Sequence, residues 1–388
     1  MSDQKKKIIM FGAGAAGRAH VGFSAWQAGY EVVFVDKNPD LVDLLRRAGR
    51  YRVRLYGGPG TRHDVVVSGY RIYAHDQREA IASEFVDAAL VFTAVFLQNL
   101  PDVAVTVARG VEACQRAGRR EPLNIIACEN MMDSSSTLGR HVRALLPETS
   151  LAYCDEVFGF PDCMSGRVVP RPEPDPLEMI TEASFEWTVR AEEFKGPAPA
   201  DLNALELVPN QTARLERKLF IYNGGHAVCG YLGFHRGCHY IHEALADPVV
   251  AGCLAGALDE LGEVVRCKHG FSAESIDGYK HDFVKRSAIP EMRDAVLRVV
   301  RDPIRKLSPR ERLVAPAVFA AHQGLPHRWI VRGIAAALKY RHPADAASVL
   351  LAEKLERTGL AATLSEVCGL PPGSPLSDEI IRAWADWI

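Results

Sequence analysis

The apolar run Ile8-Ile9-Met10-Phe11 leads directly into Gly12-Ala13-Gly14-Ala15-Ala16-Gly17, and this order restricts the fold more than any other feature of the chain. A helical pattern continues through Ala28, Gly29 breaks it, and a second apolar run, Val32-Val33-Phe34-Val35, ends at Asp36. Strand, glycine turn, helix, strand and acid form the context in which a glycine motif becomes a dinucleotide fingerprint. Gly12 allows the tight turn, Gly14 lets a pyrophosphate approach the backbone, and Gly17 lets helix and strand pack closely. Ala13 sits between them in the same cofactor-binding turn. Asp36 can accept hydrogen bonds from adenosine ribose hydroxyls and would repel a 2′-phosphate, so NAD is expected rather than NADP.

Alternation continues beyond that unit. Ala88-Ala89-Leu90-Val91-Phe92-Thr93 reads as a strand, Asp102 to Ala117 as a helix, and Leu123-Asn124-Ile125-Ile126-Ala127-Cys128 as another strand. Such alternation implies a parallel sheet with helices on both faces. Ligands bind beyond the carboxyl ends of such strands. Thr93, Ala94, Val95 and Glu129 are therefore assigned to the cofactor site, and Asn130 is placed to reach the reacting centre. Pro170, Pro172, Pro174 and Pro176 mark a crossing loop, and Met179 to Val189 alternates as strand. The fold expected is α/β: a Rossmann-type parallel-sheet domain over residues 1–195, then a mostly α-helical substrate and catalytic domain over 196–388. The boundary is set in Lys195-Gly196-Pro197-Ala198-Pro199, and helices are expected at 210–232, 238–246, 248–269, 290–301, 308–321 and 327–340.

The stretch Lys218-Leu219-Phe220-Ile221-Tyr222-Asn223-Gly224-Gly225-His226 holds the candidate chemistry. At about 100° per residue of α-helix, Asn223 lies near 140° and His226 near 80° from Lys218, so all three can line one wall. A lysine whose pKa burial lowers is a credible base for an alcohol proton, while Asn and His can hold the resulting alkoxide. A solvated polar face is the plain alternative, but the intervening apolar residues point to burial, and buried polar groups require partners. The glycine pair costs about 1 kcal/mol per residue against alanine within a helix, which suggests close approach to the backbone.

Composition is that of an ordinary globular enzyme, with 48% hydrophobic and 24% charged residues in 388. A net charge of −2 provides no general attraction to nucleic acid or anionic membrane, so any anionic substrate needs a local basic cluster. Nine scattered cysteines without a CxxC pair indicate neither a disulfide framework nor a structural zinc site. With no apolar run long enough to span a bilayer, the expectation is a cytoplasmic enzyme, monomeric or a small homo-oligomer, acting on a small molecule.

On these residues the chain resembles the polyol-specific long-chain dehydrogenases, the mannitol dehydrogenase family, over nearly its whole length. The carriers are Phe11 to Gly17, Pro122 to Met131, Lys218 to His226, Arg305-Lys306-Leu307-Ser308, Gly324-Leu325-Pro326-His327 and Gly333 to Ala337, with the Lys-x4-Asn-x2-His signature fully matched. The resemblance implies hydride transfer without a metal, Lys218 as general base, Asn130 and Asn223 binding the alkoxide and His226 orienting the substrate. Its Arg-Lys-Leu-Ser and Gly-Leu-Pro-His segments resemble the phosphate-using branch, which implies a sugar or polyol phosphate, mannitol 1-phosphate and fructose 6-phosphate. Gly166, Ile289 and Phe96 stand where many relatives have an acid, an asparagine and a glycine.

Arg286, Arg305, Lys306 and Arg312 are candidates for the phosphate anchor. Arg286 leads because it matches a family arginine near the substrate. His235, His239 and His242 raise a metal alternative through their i+4 and i+3 spacings, but zinc needs further well-placed ligands and Gly237 interrupts the helix. An unphosphorylated polyol or a uronate, and a non-catalytic NAD and sugar-phosphate sensor, are the competing functions.

Overall fold

The computed structural model describes residues 5–129, 133–170 and 175–386. The chain divides into two compact units, residues 1–57 with 61–214, and residues 58–60 with 215–388.

In the first unit, six strands form one parallel sheet. Numbered by their order in the chain, the strands Lys7–Phe11, Glu31–Asp36, Arg71–Ala74, Ala88–Thr93, Leu123–Ala127 and Phe158–Gly159 lie side by side as 3-2-1-4-5-6. Ile9 pairs with Val33 on one side and Val91 on the other. All five residues of Lys7–Phe11 and of Leu123–Ala127 are buried, as expected of strands covered on both faces. The sheet winds in opposite directions from its first strand, so the loops after Phe11 and Thr93 diverge there and open a crevice. Ala94 N–H donates to the Phe11 carbonyl at 2.8 Å and Cys128 N–H to that of Thr93, also at 2.8 Å, which fixes the heights of those loops.

Two smaller sheets complete this unit. One orders Glu178–Glu182, Arg50–Gly58 and Thr61–Ser68; the other orders Glu206–Val208, Trp187–Arg190 and Cys163–Ser165. The second moves the boundary from the expected 195 to a point after Arg214. Glu206–Val208 pairs in parallel with Trp187–Arg190, and Gln211 donates to the Thr188 carbonyl at 3.2 Å. At the expected boundary, the Asn124 side chain exchanges two 2.8 Å hydrogen bonds with the backbone of Lys195. The start of the stretch in which the boundary is expected is thus tied to the main sheet.

The second unit is helical. Pro248–His269 and Arg328–Lys339 match the periodic reading closely, whereas Ala273–Ser287, Ala346–Cys368 and Pro375–Ala385 were not anticipated individually. The stretch expected as helix over 290–301 is instead a short turn, Pro290–Met292, and a helix of five residues, Val296–Val300. Arg293 between them has a φ of 44°, in the left-handed region where a helix cannot continue. Among the described residues no helix is long and apolar enough to cross a membrane.

Candidate active site

The first unit holds a cleft of about 810 Å³ bordered by Gly14, Asn38, Ala94, Val95 and Glu129. Gly12 has a φ of +94°, and a Cβ there would stand 2.5 Å from the Ala94 carbonyl oxygen. A Cβ at Gly17 would stand 1.8 Å from the Gly12 carbonyl oxygen, so the helix can begin only without one. Gly14 faces open space, with nothing within 4 Å of a Cβ position. This bare backbone fits the approach of a dinucleotide diphosphate.

Asp36 lies just behind the cleft. Its carboxylate accepts from the N–H of Ala13 at 2.7 Å and from that of Asn38 at 2.9 Å, binding the end of the second strand to the glycine turn. Thr93 is fully buried and donates its hydroxyl to Glu129 at 2.8 Å. Val95 N–H donates to the same carboxylate at 2.9 Å. Burial pushes the Glu129 carboxyl up, against the opposing pull of these two donors. Of the residues expected at the cofactor, Gly14, Ala94, Val95 and Glu129 line the cleft; Gly12, Ala13, Gly17, Asp36 and Thr93 do not line it but contact the glycine turn or the lining residues. Asn130 lies outside the described residues. Phe96 is 68% exposed at the cleft border, and Gly166 has a packing reason, since a Cβ there would stand 2.9 Å from the Glu186 carbonyl oxygen.

In the second unit, Lys218 begins a π-helical turn, Lys218–Gly224, inserted between the α-helices Gln211–Arg217 and Gly225–His235. Hydrogen bonds in a π-helix run from i to i+5, so side chains five apart stack as those four apart do in an α-helix. Lys218 and Asn223 are five apart. The wider turn therefore draws the amide toward the lysine, reducing the offset expected from 3.6-residue periodicity. Both side chains are half-buried, and His226 is buried.

His226 packs edge-on to Tyr222 and Phe283, with ring centroids 5.1 and 5.4 Å away. Its Nε2 faces an Asp294 carboxylate oxygen at 3.4 Å. Burial pulls the imidazole down to about 4; Asp294 opposes this, while Arg298, Arg286 and Arg312 reinforce it. His226 is thus neutral at pH 7 within the field of three guanidinium groups. The glycine pair beside it serves helix packing: a Cβ at Gly224 would stand 2.9 Å from the Arg312 carbonyl oxygen, and one at Gly225 2.9 Å from Leu258.

Among the basic candidates, Arg286 is 6% exposed, stacks 4.8 Å from the Tyr222 ring centroid and pairs with Asp282 at 3.1 Å. Arg305 is paired with Asp302 and Glu311, each at 2.9 Å, and Arg312 with Glu311 at 2.8 Å. Lys306 donates to the Arg301 carbonyl. Two of the three histidines of the metal alternative have other partners: the His235 ring meets the Ala336 carbonyl at 3.0 Å, and His242 stacks on Tyr240. Among the described residues no three His, Cys, Asp or Glu side chains are grouped to hold a metal ion. Sequence reasoning missed Asp294 and Phe283, which reach His226 from distant segments and leave no local signature.

A doubly wound sheet with a nucleotide-type glycine turn, followed by a helical unit with a lysine, an amide and an imidazole on one helix, defines a dehydrogenase class of protein. The chain belongs to the mannitol dehydrogenase family: residues 6–201 match the mannitol dehydrogenase Rossmann domain and residues 212–367 the mannitol dehydrogenase C-terminal domain. It is 37% identical to a mannitol-1-phosphate 5-dehydrogenase of Brevibacillus brevis over 378 residues, 97% of each chain. Its fold is similar to that of Pseudomonas fluorescens mannitol 2-dehydrogenase in ternary complex with NAD and D-mannitol, with a TM-score of 0.78 and 15% identity over 99% of this chain and 92% of that one. A substrate-free D-sorbitol dehydrogenase gives a TM-score of 0.82 at 17% identity, over 98% of this chain and 93% of that one.

Proposed function

We propose that this chain is an NAD-dependent oxidoreductase that interconverts mannitol 1-phosphate and fructose 6-phosphate, with Lys218 as general base. The observation that supports the catalytic assignment is the π-helical turn Lys218–Gly224, whose i to i+5 period puts Lys218 and Asn223 on one face, with a neutral His226 just beyond it. The substrate assignment is supported by the similarity to the Brevibacillus brevis enzyme and by the arginines around His226.

In the oxidative direction, Nζ of Lys218 acts as the base that removes the proton of the reacting hydroxyl, and the Asn223 amide donates to the alkoxide oxygen. Asn130 is assigned the same donor role. His226, its Nε2 facing Asp294 at 3.4 Å, is assigned to orient the polyol. NAD, held by the Gly14 turn with Asp36 behind it, supplies the hydride acceptor when bound. Arg286 holds the substrate phosphate. A dianion bound away from the reacting carbon provides orientation that a neutral ketose lacks.

Comparing NADH oxidation with fructose 6-phosphate, fructose and uronates tests this reading. Fructose 6-phosphate is expected to be much the best substrate, with activity retained after exhaustive chelation. Equal turnover of fructose assigns the site to an unphosphorylated polyol; inactivation by chelator, reversed by zinc, removes the lysine mechanism. Binding of NADH and sugar phosphate without turnover identifies a sensor.

A further inference from the structure

Arg18 carries a charge that the protein buries without a direct ion pair. The residue is 2% exposed. Its Nε donates to the Ala13 carbonyl at 2.7 Å and one terminal nitrogen to the Pro176 carbonyl at 2.6 Å. The guanidinium also lies 5.6 Å from the Tyr51 ring centroid, and Tyr51 in turn donates its hydroxyl to the Arg18 carbonyl. Among the described residues it forms no ion pair, and its other terminal nitrogen makes no hydrogen bond.

Three other buried cations of this chain are handled differently. Lys7 pairs with Glu84 and Asp87, and Arg286 with Asp282. Lys306, buried against a carbonyl, is pushed down to about 7 by burial and can shed its proton. An arginine cannot do so. A permanently charged, buried group whose contacts are two carbonyls and a ring, with the Asp36 and Asp175 carboxylates acting on it without an ion pair, is costly unless an anion joins it.

The position of Arg18 says which anion. It lines the same cleft as Gly14, whose backbone faces open space, and its own hydrogen bond to Ala13 fixes the turn between Gly12 and Gly14. We infer that Arg18 is a further cofactor-binding residue whose guanidinium pairs with the diphosphate of the dinucleotide. This rests on the proposed use of NAD, and it adds a side-chain cation to a site otherwise formed by glycine backbone.

Calorimetric binding of two ligands to the full chain tests it: ADP-ribose, which carries the diphosphate, and adenosine, which does not. In Arg18→Met, ADP-ribose is expected to bind roughly 10- to 100-fold more weakly, the effect of losing a charge-assisted hydrogen bond, while adenosine binds as to the wild type. Arg18→Lys, which keeps the charge, should fall between. Equal weakening of both ligands would mean that Arg18 only shapes the turn, and no weakening of either would also overturn the inference. If Arg18→Met does not fold, the lysine variant decides by the same comparison, selective loss for ADP-ribose supporting the pairing and equal loss removing it. A wild type that binds neither ADP-ribose nor NADH removes the NAD reading together with this inference.

Discussion

In the sheet unit, the groups that border the cleft sit where strands end; in the helical unit, the segment that carries Lys218, Asn223 and His226 changes helix type. Strand ends are fixed by hydrophobic runs and glycines, so Gly14, Ala94 and Glu129 follow from local pattern. The helical site depends on one π turn and on Asp294 and Phe283 reaching His226 from other segments. A binding site built on backbone shape is encoded locally, whereas one built on mutual side-chain placement is encoded across the chain.

The sharpest way to break this comparison is Lys218→Ala. If the two units divide binding from proton transfer, kcat for mannitol 1-phosphate oxidation should fall about 10²- to 10⁴-fold while the Kd for NADH, followed by fluorescence, stays near the wild-type value. Near-normal turnover would move the base elsewhere.

A pH titration of stability probes the helical site next. Because His226 in the folded chain is held near 4, below its ordinary value of 6.5, the unfolded chain binds a proton between those values that the folded chain refuses. The stability His226 contributes is therefore present above pH 6.5 and lost as pH falls toward 4, by up to roughly 3 kcal/mol. Urea denaturation at several pH values should show that His226→Gln loses this component of the slope. An unchanged slope would mean that the imidazole is solvated.

Arg286→Ala sharpens the substrate assignment. It should raise KM for fructose 6-phosphate roughly tenfold or more, the cost of removing a charge-assisted contact, with little change for fructose. Equal effects on both substrates would return Arg286 to a purely structural role on Tyr222.

The smallest effect is expected in the sheet unit. Asp36→Asn should narrow the preference for NADH over NADPH by about tenfold, the scale of one unfavourable charge contact removed. Because Asp36 also receives the Ala13 and Asn38 N–H groups, some loss of NADH affinity should accompany it. Steady-state kinetics with both cofactors would show whether the preference moves at all.

By itself, the sequence determined the parallel sheet, the glycine turn, the acid ending the second strand and the helical character of the C-terminal unit. Each depends on the periodicity and size of neighbouring side chains, as at Gly17, where only hydrogen fits. Tertiary structure decided three things. It carried the first unit through Arg214, because pairing of Glu206–Val208 with Trp187–Arg190 is a contact no local composition announces. It buried Arg286 against Tyr222 and Asp282, while Arg305 and Arg312 share Glu311. And it set the π turn at Lys218 and the neutrality of His226, since helix pitch and desolvation depend on what packs around a segment and not on its sequence alone.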